Sequence, residues 1–160
     1  MSFKSYLSLA ALCTIAIAAG PAAAQDTKQV INLATAKKMA DGCEQKAKAE
    51  GWKMVIAVVD DGGNLKYLSR MDGSFLVSVK IAQGKAETSA RVPVSSRKWG
   101  EISTTVKGLD LVPGMVSFAG GLPIMAGSSH LGGLGVSGGS ADQDEQCAQA
   151  GLDAVKDVLK

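Results

Sequence analysis

Residues 133–138 read GLGVSG, and the spacing of Gly133, Gly135 and Gly138 is that of a dinucleotide-binding loop, G-x-G-x-x-G. Whether it is one decides the fold. Such a loop needs a strand before it, a helix directly after it, a further parallel strand, and an acid about twenty residues on to hold the ribose. Here only one helix-like segment follows, and Asp153 and Asp157 lie on that segment itself. The glycines therefore belong to a strand, where Gly132, Gly133 and Gly135 admit a backbone approach that side chains would obstruct.

Working outward from this stretch, "MVSFAG", "LPIMAG" and "HLGGLGVSG" (115–138) are short β-like pieces separated by glycines, which predicts a three-stranded antiparallel meander. Beyond it, Ser140 and Gln143 form an S-x-x-Q capping box for a C-terminal helix striped by Ala148, Leu152, Val155 and Leu159. Upstream, "MVIAVVD" (54–60) is a β-branched run, buried on both faces, joined through "DGG" to "NLKYLSRM" as a hairpin. A helix from Val30 to Glu50 carries the stripe Ala36, Ala40, Cys43 and Ala47 and ends at Gly51. A second helix starts near Ser74, capped by Ser74 or Asp72, with Phe75, Val79, Ala82, Ala86 and Ala90 on one face. Residues 93–114 read as a long connection with a short helix over 95–104. Strands arriving as hairpins imply an antiparallel sheet covered by helices, an α+β fold.

The first 24 residues read as a secretory signal peptide. Lys4 begins a positive n-region, Tyr6 to Ala19 are apolar but short for a bilayer span, and Ala22-Ala23-Ala24 is a small-residue cleavage site. Lipidation at Cys13 fits poorly after the large Leu12. The remaining residues, 25–160, suit a single periplasmic or secreted domain with no membrane span after cleavage. Their 16 basic and 15 acidic residues leave no electrostatic footprint for nucleic acid. Two cysteines remain, Cys43 and Cys147, either a disulfide suited to an oxidising compartment or two separate buried thiols.

Three segments together carry a family resemblance: "VVDDGGNLKYLSRMDG" (58–73), "KIAQGKAETSA" (80–90) and "GGLPIMAGSSHLGGLGVSGGSADQDEQCAQAGL" (120–152). They resemble the GlcG/HbpS-like haem-binding family, which also supplies the C-terminal domain of PduO-type cobalamin adenosyltransferases. The resemblance implies a profilin-like arrangement of α/β/α layers, with an antiparallel sheet of about five strands and long N- and C-terminal helices. It also implies a homo-oligomer that binds haem or a related tetrapyrrole, serving haem capture or sensing. Many members carry His directly after the hairpin glycines, where this chain has Asn64.

Residues that the resemblance places around a cofactor are Arg70, Met71, Lys85, Gly120, Gly121 and Pro123. His130, the one histidine of the chain, is either the haem-iron ligand or an exposed turn residue. Met71, Met115, Met125 and Tyr67 are further candidate ligands, or core filler in the case of the methionines. Arg70, Asp72 and Lys85 suggest a second reading, a periplasmic enzyme or sensor for a small organic acid or aldehyde. There the arginine would clamp the anion and the lysine would act as base or imine former. The same three residues also suit a structural ion-pair cluster. No Cys/His spacing suggests zinc, and one histidine cannot serve both a Ser-His-Asp triad and a metal. Asp60-Asp61 and Asp142, Asp144 and Glu145 read as turn and helix-start acids, adequately explained by solvent-facing roles.

Overall fold

A computed structural model describes residues 27–160; the signal-peptide reading lies outside these residues. The elements run α1 (Leu33–Glu50), β1 (Val55–Asp60), β2 (Leu65–Arg70), α2 (Ser78–Arg91), α3 (Ser96–Thr105), a 3-10 turn (Leu109–Leu111), β3 (Gly121–Ala126), β4 (Ser129–Ser137) and α4 (Ala141–Asp153). The four strands form one antiparallel sheet in the order β2-β1-β4-β3. The fold is α+β, with helices on both faces.

Strand alternation sorts the core into two layers. On one face Ile56, Val58, Leu134 and Val136 meet α1 and α4 through Ala36, Met39, Ala40, Cys43 and Ala148. On the other, Val55, Ala57 and Val59 meet Ala82, Ala86 and Ala90 of α2. β1 is thus apolar on both faces because helices cover both. Gly133 and Gly135 of β4 face α2, where a Cβ on either would run into the carbonyl oxygens of Ala86 and Ala82 respectively. The glycines of GLGVSG are a seat for a helix backbone.

Local chemistry explains the boundaries. Asn32 caps α1, its side chain accepting from the Thr35 amide at 2.8 Å, so the helix begins after Val30 and Ile31. Gly51 closes it in the left-handed region at φ 74°. The capping box of Ser140 and Gln143 is formed at α4. In the β1–β2 turn, Asp60 accepts from the amides of Gly62 and Asn64, both at 2.9 Å.

Three expectations need correction. The second helix starts at Ser78 and not near Ser74, whose hydroxyl instead donates to the Met71 carbonyl. Phe75 consequently lies outside the helix and is 67% exposed. The meander has two strands instead of three, and the sheet four instead of about five. Residues 115–119 fail to pair because their backbone is taken elsewhere: the Val116 amide donates to Thr88 Oγ1, and the Phe118 carbonyl accepts from Ser96 Oγ. Finally, α4 ends at Asp153, with turns carrying Val155 and Leu159 onto the core.

Packing of α1 against α4 brings Cys43 and Cys147, 104 positions apart in sequence, together as a disulfide with Cα atoms 4.7 Å apart. Closing so long a loop restricts the unfolded chain, and reduction is expected to lower stability by about 3 kcal/mol. Urea unfolding with and without reductant checks this. Thiol alkylation of the native protein should label neither cysteine until reductant is added.

Candidate functional site

The residues singled out from the sequence fall at opposite ends of the sheet. At one end stand the starts of β1 and β3 and the ends of β2 and β4, because Val55 registers with both Arg70 and Ser137, and Gly121 with Gly135. At the other end are the β1–β2 turn, with Asn64, and the β3–β4 hairpin, with His130; they are neighbours there because Asp60 pairs with Gly132.

Lys85 is completely buried. Its side chain leaves α2 and passes the end of β4, where Nζ donates to Asp144 Oδ2 at 2.6 Å and to the Val136 carbonyl at 3.0 Å. The Phe118 ring lies over it, 4.7 Å from centroid to Nζ. Asp144, also buried, accepts a second bond from the Gly139 amide at 2.9 Å. Gly120, at φ 116°, makes the room: a Cβ there would lie 2.7 Å from both Nζ and the Asp144 Cβ. Burial pushes the Lys85 amine below its ordinary range and the Asp144 carboxyl above its own, while their mutual hydrogen bond works against both shifts. With two acceptors and an aromatic face already filling its surroundings, this amine is a strut joining the layers. Asp144, expected from sequence to face solvent, is its buried partner.

Arg70 and Asp72 do not join Lys85. They line a separate cavity of about 330 Å³ with Met71, Lys53, Ser69 and Glu44, between the end of α1 and the end of β2. Glu44 is already satisfied there: the Ser69 hydroxyl donates to Oε1, and Lys48 Nζ lies 3.3 Å from Oε2. Arg70 makes one long bond, Nη2 to the Ser74 carbonyl at 3.4 Å. Sequence reading missed Lys53 and Glu44, which no local pattern ties to residues 70–72.

Gly121 is covered by the Lys85 carbonyl and Ser96 Oγ, whereas Pro123, on the outer strand β3, lines another cavity of about 330 Å³ with Met125 and Leu152. Of the six residues that the resemblance grouped around a cofactor, Lys85, Gly120 and Gly121 lie together, while Arg70 and Met71 line one cavity and Pro123 another. His130, half-buried, sits against the last turns of α2, with Nε2 2.9 Å from the Ser89 carbonyl. A carbonyl can only accept, so Nε2 carries the proton and Nδ1 keeps its lone pair. Its register partner across the hairpin is Met125.

The HbpS-like family model, described as "Haem degrading protein HbpS-like", matches residues 31–153. The chain belongs to that family. An uncharacterized 15.0 kDa protein of the dhaT-dhaS intergenic region of Citrobacter freundii is 37% identical over 136 residues, covering 80% of this chain and 94% of that one. A double mutant of Streptomyces reticuli HbpS superposes with a TM-score of 0.80 at 29% identity, covering 88% of this chain and 97% of that one. The PduOC–haem complex gives a TM-score of 0.73 at 24% identity, over 79% and 95% of the two chains, a likeness of fold. The two solved structures share the layered α+β architecture of this chain.

Proposed function

We propose that this protein is an exported haem-binding protein, working in haem capture or sensing as a homo-oligomer, with His130 ligating the iron. Membership of a family described by haem chemistry is the observation that carries the haem reading. The donor set at the hairpin supports its placement. The Nε2–H of His130 is held by a backbone carbonyl, the outer contact that orients a ligating imidazole and fixes its tautomer, and Nδ1 is left to bind metal. Position 130 also lies at the same end of the sheet as Asn64, the position where the resemblance leads one to expect a histidine. The Cys43–Cys147 disulfide supports export, since such bonds persist in oxidising compartments.

His130 lines neither of the two cavities described above. A macrocycle held there would need a second copy of the chain to cover it, as the proposed homo-oligomer would supply.

Haem titration of the mature protein should give a Soret band that saturates at a fixed stoichiometry. His130→Ala should shift that band and weaken binding by about tenfold or more. Binding that never saturates would overturn the haem reading; saturable binding with an unchanged spectrum in His130→Ala would move the ligand elsewhere.

A further inference from the structure

The cavity between α1 and β2 has the charge pattern of a small-anion site, at the opposite end of the sheet from His130. Of its two acids, Glu44 accepts a hydrogen bond from Ser69 and is paired with Lys48. Arg70 commits one N–H to a long bond and keeps the rest of its planar fork. Lys53 and Asp72 make no side-chain hydrogen bond or ion pair among the described residues. The remaining N–H groups of Arg70, with Lys53 and Asp72, therefore belong to residues that line the same space and have no ion-pair partner among the described residues. Met71, half-buried and packed on the core, supplies an apolar wall.

We propose that this cavity binds a small carboxylate that bears a hydrogen-bond donor beside it, a hydroxy or amino acid. The carboxylate lies across the Arg70 fork, as the bidentate geometry of guanidinium favours. Lys53 adds a second positive charge, and Asp72 accepts from the ligand's hydroxyl or ammonium. A volume of about 330 Å³ limits the occupant. At roughly 30 Å³ per water-sized group, it holds no more than about ten non-hydrogen atoms. Haem does not fit, so this site is independent of the haem reading and stands or falls separately.

The test is amide chemical-shift titration of the full mature protein with lactate, alanine, propionate and inorganic phosphate at constant ionic strength. Lactate or alanine should give saturating shifts confined to Lys53 and residues 69–74, with a Kd near or below about 1 mM. Propionate, lacking the donor, should bind more weakly. Arg70→Gln should weaken binding by about tenfold or more, and Asp72→Ala, which removes the acceptor, should erase the preference over propionate while leaving propionate itself bound. Both side chains are exposed, so neither substitution disturbs the core. No saturating shift with any carboxylate, or equal shifts with phosphate, overturns the proposal.

Discussion

Lys85→Met should destabilise the fold by about 3–5 kcal/mol, because it strands the Asp144 carboxylate in a site from which water is excluded. For a domain of this size that is a fall in melting temperature of roughly 10–15 °C. Methionine matches the length of the lysine stem, so lost packing is a minor part of the effect. Removing both charges tests the cause. In Lys85→Met/Asp144→Leu no buried ion remains unpaired, and most of the loss should be recovered, since buried pairs replaced by apolar residues are often neutral. The cost of desolvating two ions is what makes the pair expendable as a pair and indispensable singly. Urea unfolding of the two single variants and the double variant gives the coupling energy. A Lys85→Met loss below about 1 kcal/mol would mean that the strut carries no weight.

Whether a feature was legible in the sequence depended on how local its cause was. The stripe of α1, the box at Ser140 and Gln143, and the double-sided burial of β1 follow from periodicity and neighbouring residues. So does the rejection of the phosphate loop, since the acids at the required distance, Asp153 and Asp157, lie on the segment that directly follows the glycines. What failed depended on distant partners. "MVSFAG" has the composition of a strand, yet Thr88 and Ser96, from two different helices, take its backbone groups. Lys85 sits among Ala82, Ala86 and Ser89 on the buried face of α2, a visible anomaly, but the identity of its counter-ion 59 residues away was not. Arg70, Asp72 and Lys85 looked like one cluster because they are close in sequence. Lys85 is instead committed to Asp144 and the Val136 carbonyl, while Arg70 and Asp72 line a cavity with Lys53 and Glu44.

Gly135→Val should be among the most damaging single changes outside the ion pair, costing about 4 kcal/mol or more, at the exceptional end for point substitutions. The reason is geometric. A Cβ at this position overlaps the Ala82 carbonyl oxygen and the Ala86 amide, and lies 3.0 Å from the Ala86 Cα. Backbone atoms inside a helix cannot rotate aside, so α2 must lift from the sheet. Lifting it exposes the layer made by Val55, Ala57 and Val59 against Ala82, Ala86 and Ala90. It also draws Lys85 away from Asp144, so the two largest effects reach the same strut. A control separates close packing from glycine content in general. Gly127, at φ 56° with no neighbour within 4 Å of a built Cβ, should accept Asn within about 1 kcal/mol, since Asn tolerates the left-handed region. Soluble yield, circular dichroism and urea unfolding of both variants decide it; a Gly135→Val protein as stable as the parent would contradict the helix-seat account. The same geometry disposes of the opening resemblance to a nucleotide loop. A phosphate would have to lie against the glycine backbone, and at Gly133 and Gly135 that space belongs to the carbonyl oxygens of α2, which repel anions.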